Sequence, residues 1–312
     1  MRAVGITQFG NPDVLHMVSL PDPQPGPGEV RIRVHAAAVN PTDTGLRNGS
    51  RAAQFKDIPP PYVPGMDAAG VLDQIGPDTP TDLQIGDHVM AIVVPSGSHG
   101  AYSELLVVPI ESVTRVPAGA TDAEAATLPM NGLTTRLALD LLDLKPGQTL
   151  AITGAAGAVG GYGVQLGKRA GLRIIADAAP QDEQLVKELG ADVVVPRGPA
   201  FAEHVRSVAP DGADGLIDAA LLNELAVPAV RDGGQMATLR GYTSESGRGV
   251  TFHPVFVRRY AREHDKLDQL RRQAEAGEVT LRVARTLPAE RAAEAHRILE
   301  AGGSRGRLIL EF

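Results

Sequence analysis

Residues 149–171, TLAITGAAGAVGGYGVQLGKRAG, constrain this chain more than any other stretch. A segment of strand character runs into glycines 154, 157 and 160 and then into a helical pattern ending in Lys168 and Arg169. A glycine turn between a strand and a helix presents free N–H groups and the positive end of the helix dipole to an anion. Gly157 would let the backbone approach a pyrophosphate closely, and Gly160 would let helix and strand pack tightly. The spacing is GxxGxxG, with Ala155 at the start of the usual GxGxxG fingerprint. The candidate cradle is Gly154, Ala155, Ala156, Gly157, Ala158, Val159 and Gly160.

The segments after the turn support a nucleotide fold. LRIIAD (172–177), DEQLVKELG (182–190), DVVVP (192–196), FAEHVRSVA (201–209), DGLIDAA (214–220) and GGQMATLRG (233–241) alternate strand and helix character. Alternation of this kind predicts an α/β domain with a doubly wound parallel sheet and helices on both faces. An acidic side chain at the end of the second strand binds the ribose diol of NAD, whereas a small residue with a cation leaves room for a 2′-phosphate. Asp177 stands there, and no Lys or Arg follows until Lys187, so the residues alone lean toward NAD.

The first 120 residues have another texture. EVRIRVHAAAV (29–39), AAGVLDQIG (68–76), DHVMAIVV (87–94) and AYSELLVV (101–108) alternate between Pro/Gly clusters and predict a compact β-rich unit. Thr121 with Glu124 predicts a capping box, and GLTTRLALDLLDL (132–144) has helical spacing. The last part predicts a long helix (257–276), a strand at TLRVARTL, a helix at AERAAEAHRILEAG and a closing strand GRLILEF. With 312 residues, two domains are expected. A net charge of −7 argues against a nucleic-acid partner, and the basic residues at 258, 259, 262, 271 and 272 read as solvated helix faces. No cysteine is present, which removes disulfides, thiolate nucleophiles and cysteine-ligated zinc. Neither a signal peptide nor a membrane-spanning run is recognised, so a cytoplasmic protein with no membrane partner is expected.

Together these residues are similar to the quinone oxidoreductase branch of the medium-chain dehydrogenase/reductase superfamily. The matching stretches are VNPTDTGLRNG (39–49), YVPGMDAAGVL (62–72), IGDHVMA (85–91), GAYSELLVVP (100–109), AATLPMNGLTTRLAL (125–139), the glycine turn, KELGADVVV (187–195) and RGRLILEF (305–312). The resemblance implies a GroES-like catalytic domain from residues 1–120 and 257–312 around a Rossmann domain at 121–256, with the active cleft between them. The zinc-dependent members hold their catalytic metal with cysteines and the histidine of a Gly-His-Glu motif. Here that position reads Gly65-Met66-Asp67, so no catalytic zinc and no metal ligand are expected. His35, His88 and His99 read as ordinary polar or packed residues.

Without a metal to polarise an alcohol, the natural acceptors are already electrophilic: quinones and α,β-unsaturated carbonyls. The resemblance places Asn40 and Asp43 in the cleft as candidate catalytic residues and Thr134 near the nicotinamide, and Arg240, the third candidate, falls where it would stabilise an enolate. A family tyrosine two residues after Asp43 is replaced by Gly45, which leaves Tyr62 and Tyr102 as other candidate donors. Family usage favours NADP(H), with NAD(H) as the alternative. Two further functions stay open at this level: a biosynthetic reductase of one bulky enone or enoyl thioester, and a non-catalytic cofactor-binding protein. A homodimer through the edge strand near 250–256 is expected.

Overall fold

The computed structural model describes residues 1–245 and 247–312. The chain divides into two compact units, one of Met1–Met130, Ala261–Glu275 and Leu281–Phe312, the other of Asn131–Tyr260 and Ala276–Thr280.

The first unit begins with the ladder of Arg2–Gly5 (β1) and His16–Ser19 (β2). Glu29–Ala38 (β3), the short helix Pro41–Arg47 (α1), Asp67–Ile75 (β4), His88–Ile92 (β5), Leu105–Pro109 (β6), Val113–Arg115 (β7) and Asp122–Ala125 (α2) follow. Along β3 the residues alternate in burial, as one half-covered face of an antiparallel strand requires. The strand expected over 101–108 begins only at Leu105. Residues before it leave the ladder: Tyr102 N–H donates to Pro64 O (3.0 Å) and Tyr102 O accepts from Val4 N–H (2.8 Å). The predicted capping box is formed, with Thr121 N–H donating to Glu124 Oε2 (2.8 Å) and Glu124 N–H to Thr121 Oγ1 (3.2 Å). This unit reaches Met130 because α2 packs against β3, β4 and β5, and because the Met130 amide donates to Asp67 Oδ1 (2.6 Å).

Pro129–Leu142 (α3) leads into the second unit, where Thr149–Thr153 (β8), Ala158–Arg169 (α4), Arg173–Ala178 (β9), Glu183–Glu188 (α5), Val193–Pro196 (β10), Phe201–Val208 (α6), Ala213–Asp218 (β11), Val230–Thr238 (β12) and Thr251–Pro254 (β13) alternate as expected. The sheet runs β10-β9-β8-β11-β12-β13, and every pairing is parallel. The order reverses between β8 and β11, and in open parallel sheets ligands bind beyond the strand ends at such a point. The glycine turn follows β8 there. On α4, Gly163 and Gly167 bring the helix onto the sheet: a Cβ at Gly167 would stand 2.9 Å from Ile174 Cδ1 and 3.1 Å from Leu150 Cδ2. These helical glycines cost about 1 kcal/mol each in propensity, which close packing offsets.

The chain then returns to the first unit through His264–Glu275 (α7), Val283–Pro288 (β14), Ala292–Ala301 (α8) and Arg307–Glu311 (β15). The helix expected over 257–276 is shorter, because residues Val257–Tyr260 form a separate 3-10 turn where the chain leaves the second unit. β15 pairs β3 antiparallel and β14 parallel, so the two ends of the chain share one seven-stranded sheet. The mixed α/β class expected from the sequence is the one observed. Among the described residues no helix is long and apolar enough to cross a membrane.

Phe201 is fully buried in the second unit among Val195, Val205, Leu216 and Val230. Phe201→Ala is expected to cost about 3–5 kcal/mol of stability, read as a lower urea midpoint with an unchanged slope.

Candidate active site

The glycine turn has little freedom to vary. Gly154 adopts a φ of 67°, and a Cβ on Gly160 would lie 2.2 Å from Gly154 O, so only glycine fits the third position. Gly157 caps α4, and the first helical bond is donated by Gly161 to Gly157 O (3.0 Å). The amides of Ala158, Val159 and Gly160 therefore open the helix without an intrahelical acceptor. Residues 156–159 are partly exposed, while Gly160 and most of β8 behind them are buried. The site fits a dinucleotide pyrophosphate.

Neighbouring strands brace the turn. Asp177, near the end of β9, accepts the Ala155 N–H at 3.0 Å. Burial pushes its carboxyl up, against the opposing pull of the Ala155 and Gly154 amides and of the Arg197 charge. Asp177 stands at the expected strand end, with one carboxylate oxygen committed to the turn. Thr153 Oγ1 donates to Asp218 Oδ1 (2.6 Å) and accepts the Ala220 N–H (2.9 Å), which ties β8 to β11 beneath the turn. Arg197 carries no signal in the linear pattern. Its backbone N–H donates to Ala178 O (3.0 Å), and its exposed side chain follows β10, the strand beside β9. A cation thus stands next to the second strand although none follows it closely in sequence.

Thr134 is buried on α3, and the adjacent Thr135 donates its hydroxyl to Val159 O (3.2 Å), so this helix leans on the start of α4. Arg240 follows β12 as an exposed side chain with a φ of 60°. That conformation is uncommon for a residue with a side chain and concentrates at functional sites.

In the first unit Asn40 and Asp43 lie inside a buried polar cluster, at 0% and 2% exposure. Asn40 Nδ2 donates to Asp67 Oδ2 (2.8 Å), and Asn40 Oδ1 accepts from Arg307 Nη2 (2.6 Å). Asp43 accepts N–H groups from Asn40 (2.8 Å) and Gly65 (3.0 Å) and the Tyr102 hydroxyl (3.2 Å). Tyr102 also meets His296 Nε2 at 3.2 Å, while His296 Nδ1 has no hydrogen-bond partner among the described residues. With the proton on Nε2 the orphan is an acceptor rather than a donor, the cheaper arrangement, and a donor chain runs His296 to Tyr102 to Asp43. Burial raises Asp43 to about 7 and lowers His296 to about 3, so the imidazole is neutral. Burial and the Asp43 charge hold Tyr102 well above its ordinary value, and it remains a hydrogen-bonding group. Tyr62 is engaged elsewhere, donating to Ile58 O (2.9 Å) and stacking on Phe9. At Gly45, which stands in place of the family tyrosine, an added Cβ would lie 3.5 Å from Arg51 Cδ, so Arg51 covers that place.

The stretch Gly65-Met66-Asp67 does not fit a cysteine and histidine zinc site. Met66 is buried, and the fully buried Asp67 is engaged by Asn40 and by the Met130 amide, with Arg307 3.8 Å away.

Residues 26–118 match the family model of the alcohol dehydrogenase GroES-like domain, and residues 189–310 that of the zinc-binding dehydrogenases. The chain is 29% identical over 320 residues to the NADPH-dependent alkenal/one oxidoreductase of the Arabidopsis thaliana chloroplast, covering 99% of this chain and 79% of that one. It is 29% identical over 333 residues to the quinone oxidoreductase of Sus scrofa, covering 99% of this chain and 97% of that one. The crystal structure of an NAD-dependent alcohol dehydrogenase matches with a TM-score of 0.88 at 29% identity, covering 100% of both chains.

The buried carboxyl gives the fold a pH signature. Asp43 binds its proton more tightly folded, at about 7, than at its ordinary 3.8. Its contribution to stability is therefore present below pH 4, declines as pH rises toward 7 and is constant above. His296, depressed to about 3, contributes with the opposite slope, so the difference between wild type and Asp43→Asn isolates the carboxyl. Thermal unfolding of both from pH 4 to 8 is expected to show wild type losing on the order of a few kcal/mol relative to Asp43→Asn.

Proposed function

The chain belongs to the medium-chain dehydrogenase/reductase superfamily and is an oxidoreductase, and on that basis we propose that it reduces quinones or α,β-unsaturated carbonyls with a nicotinamide cofactor and without a catalytic metal. The observation that carries this reading is the stretch Gly65-Met66-Asp67. Where the zinc enzymes carry their histidine ligand this chain has the buried Met66, and the adjacent Asp67 is buried and engaged by Asn40 and Met130, in a chain with no cysteine. An acceptor that needs no Lewis acid suits such a site. The names of the alkenal/one and quinone oxidoreductases that resemble it support the same class of acceptor.

The nicotinamide cofactor supplies the hydride when bound. The chain's own residues do the rest. The amides of Ala158, Val159 and Gly160 bind the pyrophosphate, and Gly154, Ala155, Ala156 and Gly157 hold the turn open for it. Thr134, on the helix that leans on this turn, orients the nicotinamide end. Arg240, exposed and held at positive φ, offers positive charge to the oxygen of a developing enolate, the kind of stabilisation that is worth most where charge appears only in the transition state. Asn40 and Asp43 act as positioning residues, shaping the first unit from within. The unit with the glycine turn binds the dinucleotide and the β-rich unit handles the substrate.

NADPH is the preferred cofactor in this reading. Arg197, beside Ala178, supplies the cation that a 2′-phosphate needs, and Asp177 is turned to the glycine loop. The protein works in the cytoplasm as a homodimer, pairing through the edge strand β13, the last strand of its sheet.

Absorbance of NADPH and NADH is to be followed against 1,4-benzoquinone, 9,10-phenanthrenequinone and a simple enone, with a chelator present throughout. Chelator-resistant oxidation of NADPH is the expected outcome, and tight binding without turnover of any acceptor would overturn the proposal. Arg197→Ala is expected to raise KM for NADPH about tenfold or more, as loss of a charge-assisted hydrogen bond of about 1.5–3 kcal/mol implies, with NADH unaffected. Equal effects on both cofactors would remove Arg197 from phosphate recognition.

A further inference from the structure

We propose that His35, His88 and Asp122 form a binding site for a divalent transition-metal ion, apart from the hydride-transfer chemistry. One ligand atom from each lies within 4.8 Å of the other two. His35 Nδ1 stands 2.7 Å from Asp122 Oδ2, and His88 Nδ1 stands 2.9 Å from Oδ1 of the same carboxylate.

Three separate pieces of chain converge to build it. Between Val34, opposite Gly70, and Ala36, opposite Ala69, the β3–β4 ladder slips by one residue, and His35 is the extra residue of that bulge. A bulge re-aims a side chain that a regular strand would direct elsewhere. This one depends on Gly70, where a Cβ would lie 2.0 Å from Arg33 O and 2.9 Å from His35 N. His88 opens β5 opposite Val71, and its carbonyl accepts the Val116 N–H (2.9 Å). Asp122 opens α2 directly after the cap residue Thr121. All three backbones are therefore held by bonds outside the cluster.

The donor set identifies the ion. Two imidazoles and one carboxylate suit zinc, cobalt, nickel or copper, whereas magnesium and calcium take oxygen ligands. Ligand atoms around a tetrahedral zinc stand about 3.3 Å apart, as bonds of roughly 2.0–2.2 Å require. Each imidazole Nδ1 already stands close to one oxygen of the carboxylate, His35 to Oδ2 and His88 to Oδ1, and to share an ion the imidazoles release these hydrogen bonds and draw together. They are free to do so, at 41% and 58% side-chain exposure, while Asp122 is sheltered at 14%. Among the described residues no Lys or Arg pairs with Asp122, so no fixed cation competes with an ion for it. Water fills the remaining position.

The ion would fasten α2 to β3 and β5. It would not reach the buried polar cluster: His88 lies opposite Val71, four residues along β4 from Asp67. Removing it leaves turnover intact, which separates this site from a catalytic metal.

The untagged chain, stripped with a chelator and then dialysed against Zn2+, is expected to take up one equivalent. His35→Gln, His88→Gln and Asp122→Asn are each expected to weaken uptake by at least about tenfold, the loss already typical of an outer-shell partner. His204→Gln, whose ring meets the Pro196 carbonyl away from this cluster, should leave uptake unchanged. A second measurement needs no variant: Zn2+ should protect His35 and His88, and neither His16 nor His204, from carbethoxylation by diethyl pyrocarbonate in the wild-type chain, read by peptide mass spectrometry. Absence of stoichiometric uptake, uptake undiminished in the double His35→Gln/His88→Gln variant, or equal protection of all four histidines would each overturn the proposal.

Discussion

A single buried guanidinium connects the parts of the β-rich unit. Arg307, near the carboxyl end of the chain, donates to Val39 O (2.7 Å) and Asn40 Oδ1 (2.6 Å) and faces Asp67. Asp67 in turn holds Asn40 and the Met130 amide. Removing any one partner would leave a charge or donor stranded in the interior, which costs far more than the pair contributes in net terms. The network therefore works as a specification of which strand lies beside which. It explains how residues from both ends of the sequence come to share one sheet.

The carboxylate beside Met66 belongs to the packing of this unit. Asp67 is surrounded by donors that satisfy it. A buried carboxylate with its hydrogen bonds made gains little from being exposed to an ion, and the Arg307 charge already offsets part of its own. The neighbouring Asp43, Tyr102 and His296 extend the arrangement as a chain of hydrogen bonds with one unpaired nitrogen at its end. Such networks rigidify a core when nearly every member is satisfied.

In the second unit the sheet order does the comparable work. Because β9 lies between β8 and β10, Asp177 reaches back to brace the glycine turn and Arg197 comes to stand beside Ala178. Neither relation has a signature in linear spacing. The same holds for His35 and His88, which look like unrelated strand histidines until the bulge opposite Gly70 and the start of α2 bring them to one carboxylate.

The features legible along the chain are local and periodic: the glycine turn between strand and helix, the alternation that makes a parallel sheet, the Thr121 and Glu124 cap, and the absence of any cysteine. These arise from steric demands and burial patterns that act within a few residues of chain. Where the polar side chains point depends instead on tertiary packing. Asn40 and Asp43 face inward because Arg307 and Tyr102 meet them there, Asp177 serves the turn because its strand adjoins β8, and the chain leaves its long helical pattern at Tyr260 because it crosses from one unit to the other. Hydrogen bonds between residues distant in sequence leave no periodic trace, since their partners are chosen by the packing of whole elements.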